Sequence, residues 1–277
     1  MRYVLFIILL TFTLPAMAQS ALRIADDGER ALSLPELIDE TTTADPVEDL
    51  AETLEPSQIR LDAIKQAALS YGARGGLAHR TEEIRFTLDN KTAIMDQIYD
   101  FKRLLIPAPS GLLIEPPIIS EGENATLIET GGQTAAVADR IYNINRNARI
   151  VSTARNWRAY LEREWGDIDL PPQVLLPRTN EERKIWVEYL TKGWEEGTKQ
   201  ADEIFQADLN KLVADYTGMV RYRKLLSMNI VSAPYALQVD RGVTGGGDEM
   251  RVGDRAVQIT GPSQLMTEAY EWQPVSR

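Results

Sequence analysis

The 277-residue chain contains no cysteine. That one absence removes disulfides, thiol nucleophiles, thiolate metal sites and iron–sulfur clusters together. Histidine is nearly absent as well, with His79 standing alone. A zinc site needs more nitrogen or sulfur ligands than one imidazole supplies. A Ser-His-Asp triad would have to take its base from that position, and no Gly-x-Ser-x-Gly elbow is present to hold a nucleophile. There is no Gly-x-x-x-x-Gly-Lys-Ser/Thr loop. The segment Gly72-Ala73-Arg74-Gly75-Gly76 is rich in glycine but lies inside a helical pattern, not at the strand-to-helix turn that phosphate binding uses. Around the acidic glycine turn, Asp248, Glu249 and Asp254 lack the Asp-x-Asp-x-Asp-Gly order of a calcium loop. Positive charge is also short: 30 Lys and Arg face 41 Asp and Glu, a net charge of −11. A nucleic-acid surface needs a basic excess, so no direct nucleic-acid partner is expected.

The acids that are present do not assemble into a site by proximity in sequence. Glu82-Glu83, Glu181-Glu182, Glu195-Glu196 and Asp202-Glu203 are neighbours on helical stretches, and neighbours on a helix point about 100° apart. They read as solvated faces. No catalytic, cofactor-binding or metal-binding residue is assigned, and the chain is expected not to be an enzyme. A glycosidase could still draw two carboxylates from distant loops, so a periplasmic hydrolase stays open as an alternative, as does a peptidoglycan-binding module.

What the chain does have begins at its first residues. Arg2, an apolar run from Tyr3 to Leu14, Pro15, and the small-x-small site Ala16-Met17-Ala18 before Gln19 have the layout of a secretory signal peptide cut after Ala18. The run is shorter than the roughly 20 apolar residues of a membrane span, and no second one follows. The mature chain is expected to begin at Gln19 and to work outside the cytoplasm. Residues 25–56 then carry eleven acids and one base, with Pro35, Pro46 and Thr41-Thr42-Thr43 and little periodicity; 19–56 reads as an acidic flexible arm. A single α+β domain is expected over 57–277.

Within that domain Leu61, Ile64, Ala68 and Tyr71 fall at helical steps. Gly72, Gly75 and Gly76 then either form an inter-helix turn or let another backbone approach closely, and helical structure continues to about Lys102. Pro107, Pro109, Pro116 and Pro117 restrict the next region to short strands: Leu112–Glu115, Ala125–Thr130 and Ala135–Ile144 about a Gly131-Gly132 turn, then Arg149–Thr153. A short helix over Asn156–Glu164 presents Trp157, Tyr160 and Leu161. Thr179 with Glu182 forms a capping-box signature. Apolar residues from Trp186 to Val220 then recur at helical spacing with no proline between Pro177 and Pro234, which predicts one long helix or a helix pair near 180–228. Strands return at Tyr235–Val239, Met250–Val252 and Ala256–Thr260 around Gly245-Gly246-Gly247. The fold class is α+β: N-terminal helices, central short strands, the long element, C-terminal strands.

Aromatic residues are the candidates for contact with other chains, since tryptophan and tyrosine are favoured at interface centres. Trp157, Tyr160, Tyr235 and Trp272 are the expected partner-interface residues.

An ordered set of segments adds to this. Tyr71-Gly72-Ala73-Arg74-Gly75-Gly76-Leu77-Ala78-His79-Arg80, Glu115-Pro116-Pro117-Ile118-Ile119-Ser120-Glu121-Gly122, Asp139-Arg140-Ile141-Tyr142, Asn156-Trp157-Arg158-Ala159-Tyr160-Leu161, Trp194-Glu195-Glu196-Gly197 and Gly218-Met219-Val220-Arg221-Tyr222-Arg223-Lys224-Leu225-Leu226 resemble the DotC family of type IVB (Dot/Icm-type) secretion systems and their conjugative plasmid relatives. The matches run in order from about residue 57 to 275. The resemblance implies a structural subunit of an outer-membrane core complex, packed in a large ring assembly against DotD-like and DotH-like subunits and helping to place the latter at the inner face of the outer membrane. It brings no catalytic residue. Well-known members are lipoproteins with a cysteine at the cleavage site; here Gln19 follows Ala18, so outer-membrane association is expected through partners.

Overall fold

The structure is a computed structural model that describes residues 30–42, 58–108, 111–128, 135–165 and 168–272. The leader, most of the acidic arm and the Gly131-Gly132 turn lie outside the described residues. The chain is α+β as expected. Helices α1 (Leu34–Thr42), α2 (Gln58–Asn90) and α3 (Thr92–Ile98) precede strands β1 (Ile106–Pro107), β2 (Leu113–Glu115), β3 (Ile118–Ile128), β4 (Ala135–Arg146) and β5 (Arg149–Val151). Helices α4 (Arg158–Leu161) and α5 (Asn180–Ser227) follow, and β6 (Tyr235–Gly246) and β7 (Glu249–Gly261) close the fold. Among the described residues, no helix is long and apolar enough to cross a membrane.

Helix α5 is the spine. Its 48 residues make a rod of about 72 Å at 1.5 Å per residue, unbroken at Gly193 and Gly197. The Thr179 side chain caps its start by accepting from the Glu182 amide at 3.2 Å. Only half of the expected capping box forms. The Glu182 carboxylate does not close on the cap residue but takes the Arg178 amide at 2.8 Å and the Arg60 guanidinium of α2 at 2.7 and 3.1 Å. At the other end Asn229 adopts φ +57°. Ile230 donates to the Leu225 carbonyl and Asn229 to that of Leu226, the paired bonds of a Schellman stop.

The glycines of α2 do not make a turn; the helix runs straight through them. They serve the other expectation, a close backbone approach. A Cβ on Gly72 would stand 2.2 Å from the Leu190 carbonyl oxygen, and one on Gly76 2.3 Å from that of Trp194. Reciprocally, a Cβ on Gly193 would meet the Leu69 oxygen at 2.2 Å and one on Gly197 the Ala73 oxygen at 2.1 Å. Each helix carries two glycines one turn apart, and each glycine receives a carbonyl three residues before a glycine of the other helix. Small residues at this spacing let two helix backbones touch. The ion pairs Arg60–Glu182 and Arg80–Asp202 lie at either side of the crossing in the same order, so α2 and α5 run parallel.

Residues 30–42, expected as part of the flexible arm, are docked instead. Leu37 is fully buried against Gly75, and the Trp186 indole donates to Thr41 Oγ1 at 2.9 Å. Helix α1 therefore belongs to the first of three hydrophobic clusters along α5, with Ile64, Ala68, Tyr71, Trp186 and Leu190. The second gathers Leu88, Phe101, Leu104, Ile118, Trp157, Leu161, Leu212 and Met219. The third holds Ile119, Tyr222, Leu225 and Val231.

The strands form small antiparallel sheets: β1-β2-β5, the hairpin β3-β4 and the hairpin β6-β7. Strand β3 begins at Ile118, earlier than expected, because Ile118 and Ile119 pack on Gly218 of α5. The two strands expected over 250–260 are one, β7, joined to β6 by a two-residue turn at Gly247-Asp248 with Gly247 at φ +62°.

Substitution of Gly197 by alanine places a methyl group against a backbone carbonyl that cannot rotate away. The expected cost is about 1–3 kcal/mol, beyond the gain of about 1 kcal/mol in helix propensity. Gly122, around which a Cβ meets nothing within 4 Å, is the control. Thermal melts of the two alanine variants should show a clear drop for Gly197→Ala and little change for Gly122→Ala.

Candidate partner interface

Of the four aromatic residues expected at a partner interface, the structure buries one, half-buries a second and leaves two exposed. Trp157 is 1% exposed in the second cluster. Its indole donates to Asp96 at 2.7 Å, and the Arg158 guanidinium lies 4.5 Å from its ring. Tyr160 stacks on Phe101 and is tied into an ion network. Trp157 is a core residue and Tyr160 is half-buried against the same cluster, because the short helix α4 turns this face toward α3 and α5. Tyr235 and Trp272 remain at the surface, 64% and 44% exposed. Tyr235 opens β6 beside Gly261, and Trp272 Nε1 donates to the Met266 carbonyl at 2.9 Å. The structure does not bring them together with the first two.

Among the described residues, the network around Tyr160 gathers two buried carboxylates, Glu115 and Asp215. Arg155 reaches Glu115 of β2 at 2.6 Å and Asp215 of α5 at 2.9 Å. Arg149 of β5 adds a bond to Glu115 at 3.0 Å, Arg146 of β4 one to Asp215 at 3.4 Å, and the Tyr160 hydroxyl donates to Asp215 at 2.8 Å. Burial and the Asp215 hydrogen bond push the Tyr160 phenol up to about 12, against the opposing pull of Arg155. Two buried carboxylates thus share one arginine, and each has a second cation.

Beside it an open groove of about 380 Å³ runs between α5 and the base of the β3-β4 hairpin, with Val213, Asp215, Thr217 and Arg221 on one wall and Glu121 on the other. Arg221 spans it, donating to Glu121 at 3.0 Å and to the Ile119 carbonyl at 2.6 Å. Burial pushes the Glu121 carboxyl up, but hydrogen bonds from Tyr142 and Arg221 more than offset this and hold it below the usual range. A general acid needs the reverse, a carboxyl held protonated near neutral pH. His79 lies on α2 with its ring 5.2 Å from that of Trp194. Among the described residues, no three His, Asp or Glu side chains are grouped to hold a metal ion.

Apolar surface is concentrated elsewhere, on the β6-β7 hairpin. Val243 and Val252 are cross-strand partners, and Met250 lies beside them opposite Gly245. They are 61%, 74% and 73% exposed. Leu237 and Val239 continue the exposure toward the base. Strands this long in a lone two-stranded ribbon are marginal in water, and both outer edges offer unpaired backbone groups. The β3-β4 hairpin repeats the pattern with Val137 and Ile141. Sequence reasoning placed strands here but not their exposure; the only available signal was apolar residues of both alternating sets in one strand, Met250 and Val252 with Val257 and Ile259.

The sequence model of a protein family described as type IV secretory system, conjugal DNA–protein transfer (T4SS_TraI) matches residues 58–274. No curated protein matches the chain significantly.

Removing the shared cation leaves each carboxylate with one cation, Arg149 for Glu115 and Arg146 for Asp215. Arg155→Ala is expected to cost about 1–3 kcal/mol in chemical denaturation, and Arg155→Lys, which loses the forked geometry, to fall between. Acid should act through the lowered groups. Burial raises the Glu182 carboxyl, and the Arg60 and Arg178 hydrogen bonds outweigh it, so its folded-state value lies below the ordinary 4.5; Glu121 behaves alike. Their stabilisation is full above about pH 4.5 and is lost as pH falls through the folded values. Melting temperature measured from pH 6 to 3 should decline below 4.5, and Glu182→Gln should flatten that decline.

Proposed function

The chain belongs to this type IV secretory family, and we propose that it serves as a structural subunit of the outer-membrane core of a conjugative or effector-exporting machine of the DotC type. The family match over 58–274 is the observation that carries the reading; membership makes the chain a component of type IV secretion machinery. The more specific placement draws its support from the ordered DotC-like segments and from the leader-like first eighteen residues. In this reading the chain is exported, cleaved after Ala18, and held in the periplasm at the outer membrane by DotH-like and DotD-like neighbours.

The geometry favours assembly over turnover. The carboxylates nearest a concave surface are neutralised by arginine, whereas exposed apolar side chains and open strand edges lie on two projecting ribbons. Such edges accept a strand from another protein, with backbone bonds giving affinity and alternate side chains giving selectivity. Trp272 and Tyr235 flank the base of one ribbon and extend the same contact surface. A stable contact of this kind buries about 1,200 Å² or more in total.

Replacing Val243, Met250 and Val252 together by serine removes the apolar tip without touching any cluster of the interior. The folded chain should keep its circular dichroism spectrum and melt within about 0.5 kcal/mol of the parent. Co-purification with the other core subunits from detergent-solubilised envelopes should fall at least tenfold, and Trp272→Ala should give a smaller loss. Full recovery of the complex with the triple variant would overturn the assignment of the ribbon as a contact surface. Intact channels in cells lacking the chain would overturn the structural role.

A further inference from the structure

Against the net charge of −11, one end of the molecule is basic. Lys102 and Arg103, in the 3-10 turn Phe101–Leu104, and Arg223 and Lys224, in the last turns of α5, are all exposed. They adjoin one another, since Arg223 donates to the Arg103 carbonyl at 3.4 Å. The acid paired within the cluster is Asp100, on Arg103 at 2.9 Å. The negative pole of the α5 dipole accounts for cations in its final turn, but not for the pair on the neighbouring turn.

The chain carries a matching anionic segment. Residues 43–57 hold Asp45, Glu48, Asp49, Glu52 and Glu55 and no base. Its two anchors are fixed at the opposite end of the rod. Thr41, just before it, bonds Trp186, and Arg60, just after it, bonds Glu182. From Trp186 to Arg223 is about 56 Å of helix. A segment of this length tethered at both ends reaches at most about 28 Å from its anchors, even fully extended. Within one molecule the two charge sets cannot meet.

We propose that residues 43–57 of one copy dock on the Lys102, Arg103, Arg223 and Lys224 cluster of a second copy. The contact is head-to-tail, joining the first turns of α5 in one molecule to its last turns in the next, and repetition of such a contact builds a ring or an open filament. It stands on the residues of the chain itself and does not depend on the location proposed above.

The lack of native cysteine makes the test direct. Full chains carrying Thr53→Cys and Ser227→Cys, with different tags, are mixed under mild oxidation at 50 mM salt. Mixed disulfide dimers should form at least tenfold faster than at 500 mM salt, where exposed charges are screened. A synthetic peptide of residues 43–57 should compete. The double variant in one chain, diluted below association, should form no internal disulfide. Changing the four cations to glutamine should lower the mixed dimer at least tenfold; if that variant misfolds, changing the five acids of 43–57 to their amides tests the other side. Mixed dimers insensitive to both sets of substitutions would overturn the proposal. So would absence of mixed dimers together with cluster-dependent binding to vesicles rich in phosphatidylglycerol, which would assign the cluster to an anionic membrane.

Discussion

The backbone contact between α2 and α5 is the constraint on which the rest of the molecule hangs. Four glycines take four carbonyls of the facing helix, so the helices have one register in which they fit. A slip by one residue would bring Ala73 or Leu77 against a main chain that now meets only hydrogen. The contact also fixes the parallel orientation, and with it the groove that receives Leu37 of α1 at Gly75. Three separate hydrophobic clusters then succeed one another along α5 instead of merging into one core. A rod this thin has too little interior for a single core, and each cluster is completed by whatever short element lies beside it.

Directional bonds do the work that apolar bulk cannot do in the middle of the rod. Glu115, Asp215, Arg155, Arg149, Arg146 and Tyr160 come from β2, α5, the loop before α4, β5, β4 and α4. Desolvation makes such a network a weak source of net stability, but its geometry admits one arrangement of those elements. The same logic holds at the start of α5, where Arg60 joins α2, the Leu176 carbonyl and Glu182. The two projecting ribbons hang from this fixed frame by their bases alone, which leaves their tips free of intramolecular demands.

Much of the fold was legible in the amino-acid order. The absence of proline between Pro177 and Pro234, with Thr179 at the start, places the two ends of α5 almost to the residue, because helix caps and breakers act locally; the same signals leave open, at Gly193 and Gly197, whether one helix or a pair lies between them. The two roles open to the α2 glycines could not be separated, since the carbonyls they meet belong to residues about 120 positions away. Trp157 shows the same limit: a large aromatic suits a core and an interface equally, and its burial depends on Asp96 and Leu212, brought near by folding. The docking of α1 was hidden by the acids around it; Leu37 and Thr41 carry the seating, and two residues make no periodic signal. The strands of β6 and β7 were visible as alternation, but alternation marks a half-buried sheet, and here little covers either face.

Because α2 and α5 lie parallel, no short loop can join them. The ninety or so residues between them, including every strand of the central region, form the return path. The glycine contact therefore forms only after a loop of that length has closed, at an entropic cost that grows with its logarithm, and proteins dominated by such distant pairings fold slowly. Helix α2 must wait, with Ile64, Ala68 and Tyr71 covered by nothing larger than α1, until the last third of the chain arrives. Folding order is thus written into the direction of one helix pair: the spine comes late, and the half-built molecule is the form most in need of a chaperone.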